Sequence, residues 1–218
     1  MTHARHYQLP ESARAPAGRR ARVGGARDDR DLLLRSLLFV GAFLSGWNLL
    51  RVGSMNVTFA DIALMLGLGV IVSRGKLNLL PFGAATVYWI AALTLMLGGL
   101  FVSSLINGDP LRWANVAIQY TMAYLLIPML LMSQERRLTQ MLPVAFVLGT
   151  TLSEAIGITA TFFFTMHDTI GLLGDGFITG NQRLGSLAGQ PNPNGAVIAF
   201  SMPMLIFSVV KGTMPRLL

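Results

Sequence analysis

Four polar side chains stand out in a largely apolar sequence: Asp61, Arg112, Glu154 and Arg183. Glu154 lies near the middle of an apolar run over residues 141–165, with Thr150, Thr151, Ser153 and Thr159 around it. A carboxylate at the centre of a bilayer costs roughly 2.5–3.5 kcal/mol on insertion scales. It must therefore be neutral, paired or facing a wet cavity. One reading is a neutral carboxyl bonded to a neighbouring helix; the other is a functional acid. Asp61 stands about one turn into a second apolar run. It is either a first-turn acid favoured by the helix dipole or an acid lining an outward cavity.

Arg183 sits in NQRLGSLAGQPNPNG, Asn181 to Gly195, just ahead of another apolar run. A guanidinium forks onto phosphate oxygens, and a following helix offers free amides that attract anions. Pro191, Asn192, Pro193 and Asn194 make a rigid turn into that helix. Arg183 is thus read either as an anion ligand or as an interfacial anchor. His167 beside Asp168 has the composition of a base with its orienter, but adjacent residues rarely face each other, so a solvated loop histidine is expected. The chain has no cysteine, which removes thiol nucleophiles, disulfides and thiolate metal sites. Gly174, Gly176 and Gly180 are spaced GxGxxxG without the strand-then-helix setting of a phosphate loop.

The elements that must position these residues follow from composition. Of 218 residues, 53% are hydrophobic and only 12% charged. Soluble domains carry about 25% charged residues, so the solvent of this chain is lipid. A spanning helix needs about 20 apolar residues. Six runs qualify, near residues 32–50, 57–72, 82–106, 114–132, 141–165 and 195–210. An all-α polytopic membrane domain over 32–218 is expected, with its longest outer loop at 166–193. Residues 1–31, rich in Arg, Ala, Gly and Pro, are expected to form a disordered basic cytoplasmic tail.

The net charge of +7 would suit nucleic acid, but its placement argues otherwise. Arg5, Arg14, Arg19, Arg20, Arg22, Arg27 and Arg30 precede the first run. Arg35, Arg74, Lys76, Arg136, Arg137, Lys211 and Arg216 fall on the same side. Only Arg51, Arg112 and Arg183 fall opposite. Fourteen basic residues against three make a positive-inside signal. The amino terminus is therefore expected in the cytoplasm. The partner is the bilayer, and no nucleic acid is expected.

The stretch RLGSLAGQPNPNGAVIAFSMPMLIF, Arg183 to Phe207, resembles the O-antigen ligase and O-antigen polymerase family. Arg-Leu-x-Gly, a short glycine loop and a Pro-Asn-x-x-Gly helix start recur in that order. VTFAD, Val57 to Asp61, is similar to the family's second helix. Asn107-Gly108-Asp109-Pro110 with Arg112-Trp113 looks like its short outer loop, and Glu135-Arg136-Arg137 like its tight inner turn. The resemblance implies a glycosyltransferase of type C architecture in the bacterial inner membrane, needing no metal or cofactor. Such an enzyme moves a glycan from an undecaprenyl-pyrophosphate carrier to lipid A core, or to another repeat unit, at the periplasmic face. Arg183 would match the family's first outer arginine, which holds the pyrophosphate, with Arg112 as a second candidate. Family members continue past the sixth helix into a large outer loop with a second arginine and a histidine. The chain is therefore expected to correspond to an amino-terminal half, with its catalytic residues unassigned. Two other readings stand beside this one. The first is a transporter or permease fragment using Glu154 and Asp61; the second is a non-catalytic truncated membrane protein.

Overall fold

The computed structural model describes residues 25–50, 57–174, 176–179 and 183–212. The tail through residue 24, and with it Arg5 to Arg22, lies outside the described residues, as do Arg51, Gly180 and Arg216. Every regular element among the described residues is helical.

Helix α1 spans Gly25–Leu44. It starts in the charged segment, so residues 25–31 are helical where a disordered tail was expected. It ends six residues before the expected limit of 50, in a turn closed by Trp47 N–H donating to Leu44 O at 2.8 Å. Its uncharged stretch after Arg35 is nine residues, Ser36 to Leu44, about 14 Å of helix.

Helix α2, Phe59–Ser73, has 15 residues. Helix α3, Thr86–Ile106, follows a 3₁₀ turn at Gly83–Ala85. Helix α4 runs Pro110–Met132. It starts four residues earlier than expected because Asp109 caps it and Pro110 sits at its first position. A π segment occupies Met122–Leu126, next to Pro128. That proline has no N–H for Tyr124 O, and Trp89 Nε1–H donates to this oxygen instead, at 2.6 Å. Helix α5, Arg136–Phe163, is the longest at 28 residues. The short helix α6, Met166–Leu173, lies inside the expected outer loop. Helix α7, Pro191–Val210, begins at Pro191 rather than 195.

Four helices are long and apolar enough to cross a membrane: Gly83–Ile106, Pro110–Met132, Arg136–Phe163 and Pro191–Val210. That is the pattern of a multi-pass membrane protein. The first two expected spans fall short of this measure. Charge crowds the start of α1, and α2 is about 22 Å long against a hydrocarbon core of about 30 Å.

Helix α1 packs between α2 and α5, and α5 packs also on α7. Helix α3 packs on α4, whose last turns touch α2. The α1–α5 crossing is backbone-close. A Cβ on Gly149 would lie 1.8 Å from Phe43 O. Such small-residue contacts are how helices associate where lipid removes the hydrophobic drive. At one end of the bundle Leu34, Leu38, Ile71, Leu130 and Leu142 form a buried cluster. At the other, Ala160, Phe177, Ile178 and Leu187 form a second, with Trp47 and Leu49 against it. Asp31 pairs with Arg74, and Arg35 with Glu135. The start of α1, the end of α2 and the α4–α5 turn therefore share one end. The segment after α1 and the 174–190 loop share the opposite end.

Candidate functional site

Residues 176–179 and 183–190 fold onto the bundle and root the candidate site. Gly174 ends α6 with φ 87°. The chain then makes a narrow antiparallel bridge between Ile178 and Leu184, fixed by Thr179 N–H to Arg183 O at 3.0 Å and Gly185 N–H to Phe177 O at 2.8 Å. Phe177 is fully buried beneath it. Leu49 N–H donates to Leu187 O at 2.8 Å, so the exit of α1 is tied to the loop. Trp47 Nε1–H donates to Gly149 O at 2.9 Å, tying the same exit to α5. Gly176 and Gly185 are glycines because backbone meets backbone there. A Cβ on Gly185 would lie 2.2 Å from Gly176 O. Their role is close packing, not a phosphate cradle.

Glu154 lies under this loop on α5. Ser186 Oγ–H donates to its Oε2 at 3.3 Å, while Oε1 is buried with no hydrogen-bond partner among the described residues. One residue earlier, Ser153 Oγ accepts from Leu187 N–H at 3.1 Å. Ser186 is fully buried and has φ 45°. A non-glycine residue in that region is uncommon, and a held outlier points to function or a demanding structural constraint. Here the constraint is visible: the turn delivers both the Ser186 hydroxyl and the Leu187 amide to consecutive positions of α5. One carboxylate oxygen of Glu154 is thus met by a loop hydroxyl, and no arginine bonds it among the described residues. Sequence reading missed Ser186, since nothing periodic links residues 32 apart.

Arg183 is exposed on the same loop, three residues before Ser186. Its Nη2 donates to Asn192 Oδ1 at 3.2 Å, which holds the guanidinium against the first turn of α7. The expected cradle of amides narrows there. Pro191 and Pro193 carry no N–H, and Asn194 N–H is used by Gln190 O at 3.0 Å. One first-turn amide, that of Asn192, remains beside one guanidinium. Nearby, α5 and α6 enclose an apolar groove of about 380 Å³, lined by Ile156, Thr159, Ala160, Phe164 and Leu173 among others. Ile156 and Leu173 also pack beneath the loop.

The other expected site residues lie elsewhere. Asp61 closes a capping box: its Oδ2 accepts from Thr58 N–H and Thr58 Oγ–H, both at 2.8 Å, and its N–H donates to Thr58 Oγ at 3.2 Å. That is the first-turn acid, fully engaged in starting α2. Arg112 is exposed in the first turn of α4, its N–H bonded to Asp109 Oδ1 at 3.1 Å. Among the described residues it shares no hydrogen bond or ion pair with Arg183, and α4 packs mainly on α3. Asp168 turns to Thr165, the cap of α6, rather than to His167. No group of three or more His, Asp or Glu gathers among the described residues.

No protein-family model, no curated protein and no solved structure matches this chain.

Proposed function

We propose that this chain is a six-span membrane domain of the bacterial inner membrane, amino terminus in the cytoplasm, whose outer face holds a diphosphate-linked lipid glycan for transfer. The glycan passes from an undecaprenyl-pyrophosphate carrier to lipid A core or to another repeat unit. The observation that carries the reading is Arg183: an exposed guanidinium, aimed by Asn192 at the first turn of α7 and backed by a pinned loop. In the transfer, an acceptor hydroxyl oxygen bonds to the anomeric carbon while the sugar–phosphate C–O bond breaks. The electron pair leaves with the diphosphate, and Arg183 offsets the charge that develops there. The apolar groove beside the loop suits the lipid portion of the carrier. The base that takes the hydroxyl proton is unassigned among the described residues. Arg112, on a separate hairpin, has no part in this reading.

The test is binding of undecaprenyl diphosphate to the purified chain in nanodiscs. Arg183→Ala should weaken it about tenfold or more, since hydrogen bonds to charged groups contribute about 1.5–3 kcal/mol. Equal binding by the variant would remove Arg183 from the site.

A second reading, proton-linked transport through Glu154, is favoured by the unpaired Oε1. It loses Asp61 to the capping box. Proton-driven uptake abolished by Glu154→Gln, with carrier binding absent, would replace the first reading with this one.

A further inference from the structure

A second groove lies at the opposite end of the bundle from Arg183. It is formed by the middle of α1 and the start of α5 and encloses about 570 Å³. Arg35, Ser36, Phe39 and Val40 line it from α1, while Glu135, Arg137, Leu138 and Met141 line it from α5 and its cap. On each helix these positions recur at one and four residues, which places them on one face. Both helices start at this end, so their polarity runs the same way. The arginines, Ser36 and Glu135 stand at the mouth. Phe39, Val40 and Met141 lie about 6 Å deeper, one helical turn towards the bilayer centre.

That gradient matches a phospholipid standing in the leaflet at the level of Arg35 and the start of α5. Its phosphate would meet the arginines and its acyl chains the apolar walls. The lining carries two arginines against one glutamate, so it favours a headgroup with net negative charge. The Arg35–Glu135 pair does not consume the site. Its atoms are 3.6 Å apart and both side chains are more than half exposed, and exposed pairs contribute little. An arginine also has five donors, which leaves the fork of Arg35 open to a phosphate.

We propose that this groove is a binding site for one anionic phospholipid, with Arg35 and Arg137 on the phosphate and Phe39, Val40 and Met141 along the acyl chains. The proposal does not depend on the glycan-transfer reading.

The test is native mass spectrometry of the purified full chain, loaded with phosphatidylglycerol, phosphatidylcholine or glycerol 3-phosphate. Phosphatidylglycerol should be retained over phosphatidylcholine. The pair Arg35→Gln with Arg137→Gln should weaken its retention by about tenfold or more, as each basic residue near a lipid surface contributes about 1 kcal/mol. Arg136→Gln, which removes an adjacent charge outside the groove lining, should leave retention near the parent value. Met141→Ser should weaken phosphatidylglycerol without changing its preference over phosphatidylcholine. Equal retention of the two lipids would overturn the proposal. So would equal losses in Arg136→Gln and the double variant, or displacement of the lipid by glycerol 3-phosphate at equal concentration.

Discussion

The bundle of α1, α2, α5 and α7 and the hairpin of α3 and α4 solve the same problem differently. The bundle brings backbones together at Gly149 and closes its end with buried polar pairs, Ser186 to Glu154 and Leu187 to Ser153. The hairpin is held at its edges. Trp113 Nε1–H donates to Leu97 O, Trp89 Nε1–H to Tyr124 O, and the Phe101 and Trp113 rings pack 4.8 Å apart. Helix α3 is the most apolar of the four long helices and the least buried, whereas α5 carries Glu154 and is the most buried. Hydrophobicity therefore does not rank burial in this protein. In lipid an apolar face needs no protein partner, and small residues with polar side chains decide which helices meet.

The largest expected effect separates the two regions with a single type of change. Gly149→Ala forces a methyl onto the Phe43 carbonyl, so the α1–α5 crossing must open. It should lower unfolding stability in detergent by about 3 kcal/mol, the upper end of overpacking costs. Gly98→Ala in α3 meets open space and should be neutral or stabilising by up to about 1 kcal/mol through helix propensity. Equal losses at both positions would erase the distinction.

A smaller effect tests the bundle's closed end. Ser186→Ala removes the one side-chain hydrogen bond on the Glu154 carboxyl among the described residues and should cost about 1–3 kcal/mol, the range for leaving a buried polar group unpaired. Proteolysis should show the loop opening before the helices do. Ser186→Gly should cost less than Ser186→Ala, because glycine relieves the positive φ. The reverse order would mean that the positive φ at this position is not a source of strain. The smallest effect belongs to the hairpin. Trp89→Phe keeps the ring and loses the N–H on Tyr124 O, and about 0.6 kcal/mol is expected from interhelical bonds of this kind. A loss matching that of Ser186→Ala would show that the hairpin is held as tightly as the bundle.

The long apolar helices were legible because a run of twenty apolar residues needs no periodic signal. Their starts at Pro110 and Pro191 were written too, as a helix-initiating proline behind Asp109 and Gln190, yet both segments read first as loops. The start of α1 was obscured by its six charges, which suit a disordered tail as well as a first turn. Asp61 was readable as a cap from Thr58 three residues before it. The need of Glu154 for a partner was likewise readable from its place within an apolar run, but the identity of that partner was not. Ser186 reaches it only because a turn far along the chain folds back. Arg183 and α7 are close in sequence and remain close in space. Arg112 and Arg183 were joined only by charge sign, and folding puts them on different packing units.

One bond sets an order on the birth of this protein. Trp47 and Gly149 are separated by 102 residues, and a ribosome adds roughly 5–20 residues per second. The exit of α1 therefore waits about 5–20 s for its acceptor on α5 to be made. In that interval α3 and α4 emerge and clip to each other through their own tryptophans. The Trp47–Gly149 tie thus closes only after the hairpin has been made, and α1, whose neighbour α2 is made before the hairpin, gains its second neighbour from the segment that also carries Glu154.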